Sequence, residues 1–138
     1  MQENGDFDYA LKYHRRALLL RRKGASPLDL AISYENLGLL LFRQQKTQQS
    51  VLLLRRSLEI REAYYGEWHP STARSLSCVG LVLFGAPQHY TQAREFFEKA
   101  LDVRKEMLGD SHPETALSYS SVGSVLRKTG DLEGAMKM

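Results

Sequence analysis

The dipeptides Ser26-Pro27, His69-Pro70 and His112-Pro113 lie 43 residues apart along the chain. No other feature constrains the fold as much, because further landmarks keep the same step. Gly38, Gly80 and Gly123 recur at intervals of 42 and 43, and the small residues Ser50, Ala93 and Ala135 at 43 and 42. Ser57 and Ala100 repeat at 43, and Ala10 and Ala17 form an earlier copy of the two small positions, with a shortened loop after them. Self-similarity at a period of roughly 20–50 residues marks stacked repeats, each a supersecondary unit that buries its apolar face only against its neighbours.

Each period contains two helical patterns. The first starts at the proline and carries Tyr34, Leu37, Gly38 and Leu41, then Leu76, Val79, Gly80 and Leu83, then Tyr119, Val122, Gly123 and Leu126. Spacings of three and four residues place each set on one helix face. Proline suits the first helical position, where its missing N–H would be unpaired anyway. Ser26-Pro27-Leu28-Asp29 resembles a capping box with Asp in place of Glu.

The second pattern is longer. Its faces are Phe7, Ala10, His14, Ala17, Leu18 and Arg21; Ser50, Leu54, Ser57, Leu58, Arg61 and Tyr65; and Tyr90, Ala93, Phe97, Ala100, Leu101, Arg104 and Leu108. Gly66 and Gly109 are placed to end these helices. Turns are expected at Gln44-Gln45-Lys46-Thr47, Gly85-Ala86-Pro87-Gln88 and Lys128-Thr129-Gly130-Asp131. A glycine inside a helix costs about 1 kcal/mol relative to alanine, so three at one repeat position imply close approach of a paired helix.

The expected fold is all-α, a stack of antiparallel helical hairpins in one repeat domain over 1–138. Residues 1–26 would supply the second helix of a partial repeat, 27–69 and 70–112 full repeats, and 113–138 a partial repeat. Both ends would fall inside a repeat.

Composition narrows the class. Apolar residues make up 43% and charged residues 25%, a folded and not a disordered balance. The longest clean apolar runs, 37–42 and 79–84, fall far short of the ~18 residues that span a bilayer. Met1-Gln2-Glu3-Asn4-Gly5-Asp6 has neither the basic nor the apolar region of a secretory signal. One cysteine, Cys78, excludes an internal disulfide and a multi-cysteine metal site. The expected location is the cytoplasm, with no membrane partner.

The net charge of +3 comes entirely from residues 1–27. Lys12, Arg15, Arg16, Arg21, Arg22 and Lys23 face three acids there, Glu3, Asp6 and Asp8. These runs mimic a nuclear-localisation or RNA-binding patch. A nucleic-acid binder spreads its basic stripe over the fold, so a solvated helix face is the better reading and no nucleic acid is expected.

No chemistry-bearing motif is present, and the expectation is no enzyme and no cofactor. There is no G-x-S-x-G nucleophile elbow and no Gly-rich phosphate loop. His69 and His112 occupy one repeat position and read as helix starts, His14 as a core histidine, and His89 as a turn residue without ligand spacing. Glu95 and Lys99, four apart, read as a surface ion pair.

Tyr34-x2-Leu37-Gly38-x2-Leu41 followed by Ser50-x3-Leu54 resembles the tetratricopeptide pattern, and Leu76-x2-Val79-Gly80-x2-Leu83 followed by Ala93-x3-Phe97 and Ala100 matches it more closely. Tyr34, Leu76 and Tyr119 stand where the pattern has Trp, and His14 stands in the place of Leu54 and Phe97. The 42-residue step ending in Leu108-Gly109-Asp110-Ser111-His112-Pro113 is similar to kinesin light chain and nephrocystin-type repeats. The resemblance implies an α-solenoid, a right-handed superhelix whose first helices line a concave groove.

That face holds Ile32, Glu35, Asn36, Leu39, Phe42 and Arg43 in the first copy. The second copy has Arg74, Ser77, Cys78, Leu81, Phe84 and Gly85; the third has Leu117, Ser120, Ser121, Ser124, Arg127 and Lys128. Leu39, Phe42, Leu81 and Phe84 either pack on the next repeat or floor the groove. The implied function is a non-catalytic protein-binding scaffold whose partner is a peptide with an apolar anchor and acidic neighbours. The alternative is a self-associating repeat segment, a homo-oligomer through its open ends, or part of a larger scaffold or regulatory (STAND-type) ATPase.

Overall fold

The computed structural model describes Lys12, Gly24 and residues 26–137, with 131–137 as backbone alone. Of residues 1–26, expected to supply the second helix of a partial repeat, only Lys12, which is helical, Gly24 and Ser26 are described.

Among the described residues there are five α-helices and no strand: α1 Pro27–Arg43, α2 Thr47–Tyr65, α3 Pro70–Leu83, α4 Tyr90–Leu108 and α5 Pro113–Lys137. A single 3-10 turn, Pro87–His89, leads into α4. The chain divides into two compact units, one ending at Tyr64 and the other starting at Tyr65.

The recurrent dipeptides start helices by a shared device. Ser26 Oγ accepts from the Leu28 N–H at 3.2 Å. His69 Nδ1 accepts from the Ser71 N–H at 3.0 Å, and His112 Nδ1 from the Glu114 N–H at 3.1 Å. Each side chain satisfies one of the four N–H groups that a helix start leaves unpaired, and the following proline has none to satisfy. Gly66 and Gly109 have φ of 86° and 87°, the left-handed conformation that reverses the chain after α2 and α4, and Gly24 shares it at 85°.

In the first unit, α1 and α2 form an antiparallel hairpin. Late α1 meets early α2: Ser50 Oγ donates to the Gly38 carbonyl at 2.6 Å. Early α1 meets later α2: Ser57 Oγ donates to the Ala31 carbonyl at 2.8 Å. Leu30, Tyr34, Leu37, Leu41 and Leu53 form its apolar cluster, with Ile60 packed against it. A Cβ built on Gly38 would lie 2.8 Å from Leu54 Cγ, so this glycine sets the distance between the helices. The turn between them contains Gln45 at φ 64°, a left-handed non-glycine residue.

In the second unit, α3 pairs with α4 and α4 with α5. Ala73, Leu76, Val79, Val82 and Leu83 on α3 and Ala93, Phe97, Ala100 and Val103 on α4 are buried. A Cβ on Gly80 would meet Phe97 Cε1 at 2.8 Å. Thr115 Oγ1 donates to the Arg104 carbonyl at 3.3 Å, and Thr115, Ser118 and Val125 are buried among residues 113–130 of α5. Ala93 and Ala100 replace Ser50 and Ser57, so the second hairpin has plain small-residue packing where the first has hydroxyl-to-carbonyl bonds.

Two expectations need correction. The turn at Lys128-Thr129-Gly130-Asp131 is absent: α5 runs unbroken to Lys137, and Thr129 Oγ1 donates to the Val125 carbonyl one turn back at 2.8 Å. Lengthening an existing helix adds a hydrogen bond per residue fixed, whereas a new antiparallel helix needs its own nucleus. Lys99 pairs not with Glu95 but with Glu67, at 3.3 Å, while Arg94 bonds Glu98 at 2.8 Å. No described helix is long and apolar enough to cross a membrane.

Candidate functional site

The three sets expected to line a groove each fall on one face of α1, α3 or α5, though Gly85 lies just past the end of α3. Their side chains have different fates.

On α1, Ile32, Asn36 and Arg43 are exposed, and Leu39 and Phe42 half-buried. Glu35 does not belong to that surface. It is only 3% exposed, and Arg61 Nη1 donates to its Oε1 at 3.0 Å from α2. A carboxylate is buried where a guanidinium reaches it; the helix wheel places Glu35 outward, but the length of the side chain brings it back.

On α3, Leu81 is 48% exposed, Arg74 and Gly85 are exposed, and Ser77 and Cys78 are half-buried. Phe84 turns into its own hairpin. Its ring lies 5.4 Å from that of Tyr90 and 6.4 Å from that of Phe97, edge-on to the latter. The Phe84 backbone caps the helix, and Pro87–His89 brings Tyr90 against it.

On α5, Leu117 is 63% exposed, and Ser120, Arg127 and Lys128 are exposed. Ser121 and Ser124 are half-buried, and Ser121 Oγ is already donating to the Leu117 carbonyl at 3.1 Å. The second unit therefore presents apolar Leu81 and Leu117 with cationic Arg74, Arg127 and Lys128 on its first-type helices.

Behind this surface lies Arg104, which occupies in α4 the place of Arg61 in α2. Glu35 has no counterpart carboxylate here, because Ser77 holds its position. Arg104 turns instead to α5, donating from Nη1 to Ser118 Oγ at 2.7 Å and to the Glu114 carbonyl at 3.5 Å, while its Nε makes no hydrogen bond. Burial pushes the guanidinium below its ordinary pKa, against the opposing pull of Glu114 and Cys78, and Arg74 lowers it further. The sequence marks Arg61 and Arg104 as one column; their different partners follow from the Glu-to-Ser change between Glu35 and Ser77.

Among the described residues no group of three or more His, Cys, Asp or Glu side chains is placed to hold a metal ion. The surface can supply apolar contact, hydroxyl groups and cations.

Comparison with known proteins fits this geometry. The Clustered mitochondria protein homolog of Xenopus tropicalis is 32% identical over 87 residues, 62% of this chain and 7% of that protein. The crystal structure of BtubC (BKLC) from P. vanneervenii superposes with a TM-score of 0.77 at 18% identity. That match covers 96% of this chain and 52% of the other, and shows a shared fold. The chain thus spans about half of one relative and a small fraction of the other. The tetratricopeptide repeat model matches residues 1–63, 29–106 and 71–138, so the chain belongs to the tetratricopeptide repeat family.

Proposed function

We propose that this chain is a non-catalytic binding module whose first-type helices hold an extended peptide of a protein partner. The supporting observation is the pair of exposed leucines, Leu81 and Leu117, on α3 and α5 of the second unit, the same two helices that carry exposed Arg74, Arg127 and Lys128. Apolar side chains in isolation are ordinary on a surface; here they recur on the same type of helix and are accompanied by cations of one sign. Ser77, Cys78, Ser120 and Ser124 add hydrogen-bonding groups along the two helices. In the first unit Ile32, Asn36, Leu39, Phe42 and Arg43 repeat the chemistry on α1.

The matching ligand carries a large apolar side chain with a carboxylate a few residues away. Exposed ion pairs give at most ~1 kcal/mol, so the apolar anchor dominates affinity and the cations set selectivity and salt dependence. The chemistry favours neither nucleic acid nor membrane. A sequence with one cysteine, Cys78, and so no internal disulfide, suits a cytoplasmic setting. A second reading, a repeat segment of a larger scaffold, is supported by the relative of which this chain covers only 7%.

Titration with acidic, Trp-containing peptides at two ionic strengths tests the proposal. Leu81→Ser is expected to weaken binding at both. Arg127→Ala is expected to weaken it less and to flatten the salt dependence. Selection of no peptide, or equal binding by both variants and the parent, would contradict it.

A further inference from the structure

Arg61 and Arg104 stand at one position of the repeat, on α2 and α4, and both are buried. The first unit shows what such a guanidinium takes. Arg61 Nη1 donates to Glu35 Oε1 at 3.0 Å and Nη2 to Oε2 at 3.5 Å. Glu35 comes from α1, three residues before Gly38; three residues before Gly80 the sequence has Ser77, neutral and much shorter.

The second unit meets only part of the same demand. Arg104 Nη1 donates to Ser118 Oγ at 2.7 Å and to the Glu114 carbonyl at 3.5 Å, both on α5 and both uncharged acceptors. Its Nε–H is buried without a hydrogen-bond partner. A buried donor left without an acceptor is costly, and more so on a charged group. Beyond burial, the electrostatic influences on this guanidinium come from Glu114, Cys78 and Arg74, and the last two flank Ser77 on α3. Ser77 and Cys78 are half-buried and Arg74 is exposed, so solvent reaches that stretch of α3.

We propose that Ser77 and Arg104 form a subsite for a side-chain carboxylate of the bound peptide, which pairs with Arg104 from outside as Glu35 pairs with Arg61 from within the fold. The inference rests on the peptide-binding reading of α3 and α5 and names the contact that fixes the acidic position of the ligand. A guanidinium presents its donors as a planar fork that matches a carboxylate. Arg74, one turn before Cys78, adds a second cation at the rim. At Arg61 the place is already taken by Glu35, so the acidic residue is read at the second hairpin and the ligand has one register.

Two peptides test this, each amidated at the C-terminus, carrying a Trp and differing in a single Glu or Gln a few residues away. They are titrated into the whole chain, with acetate against chloride as a peptide-free arm. The proton resonance of the Arg104 Nε–H, assigned by its loss in Arg104→Met, is followed throughout. Acetate and the Glu peptide are expected to move it downfield, and chloride and the Gln peptide to leave it in place. The parent is expected to prefer the Glu peptide by about tenfold. Ser77→Glu supplies the carboxylate internally; it is expected to abolish that preference and to raise the melting temperature. Arg104→Met is expected to abolish the preference too, whereas Leu81→Ser weakens both peptides and keeps their ratio. A resonance that neither acetate nor the Glu peptide moves, or a preference that survives in both Ser77→Glu and Arg104→Met, would overturn the proposal while peptide binding itself stands. A shift with acetate but no binding of either peptide would support the carboxylate subsite and contradict the peptide-binding reading.

Discussion

Arg61 on α2 donates to Glu35 on α1 at 3.0 Å with both side chains buried, while Arg104, one repeat on, is buried with no carboxylate partner on α3. The same column of the repeat thus locks a helix pair in one hairpin and bonds the following helix in the next. Removing one member of a buried pair leaves an uncompensated charge and costs about 3–5 kcal/mol. Arg61→Met is therefore expected to destabilise the protein by about that amount. Arg104→Met takes a donor from the Ser118 hydroxyl and the Glu114 carbonyl, leaves no buried carboxylate behind and removes a poorly solvated cation, so its cost is expected to be smaller. Urea unfolding of the two variants checks the order; an equal or larger loss for Arg104→Met would contradict it.

The glycine column makes opposite predictions at two of its members. Gly80→Ala drives a methyl against the Phe97 ring, and Gly80→Leu is expected to cost about 2 kcal/mol or more through overpacking. Gly123→Ala meets no atom and gains helix propensity, so it is expected to stabilise by up to ~1 kcal/mol. Thermal unfolding reads both. A shift of the same sign at the two sites would show that close approach is not what Gly80 provides.

Imidazole caps are replaceable by the usual capping residues. His112→Ala is expected to cost about 1 kcal/mol and His112→Asn to restore most of it. His69→Ala is expected to cost more, because the His69 ring also stacks on Tyr65 with centroids 3.9 Å apart. Denaturant midpoints compare the four proteins, including the parent; no recovery in His112→Asn would argue against the cap.

Gln45 holds a left-handed backbone in the α1–α2 turn. Gln45→Gly removes that strain and is expected to raise stability by a few tenths to about 1 kcal/mol, despite the looser unfolded chain. A lowered melting temperature would count against it.

The repeat step made the helix order, the proline starts and the buried faces of α1 to α4 readable, because periodic spacing reports which side of a helix is covered. What it missed depended on reach or on local energetics. Glu35 lies on the outward side by angle, yet a carboxylate on two methylenes reaches Arg61, 26 residues away. Phe84 follows the column of Phe42, but it sits at a helix end where the longer loop presents Tyr90. Lys128-Thr129-Gly130-Asp131 has turn-forming residues, and helix extension nevertheless prevails there. Tyr119 and Leu126 carry the spacing of a buried stripe; spacing identifies a face without saying whether a helix lies on it.

The central claim is that the first-type helices carry the binding surface. Amide hydrogen exchange with and without a selected acidic, apolar-anchored peptide tests it most directly. Protection is expected on α3 around Leu81 and on α5 around Leu117 and Arg127, with the α4 stretch holding Arg94 and Glu98 unchanged. Protection confined to α2 and α4, with α3 and α5 unaffected, would contradict it.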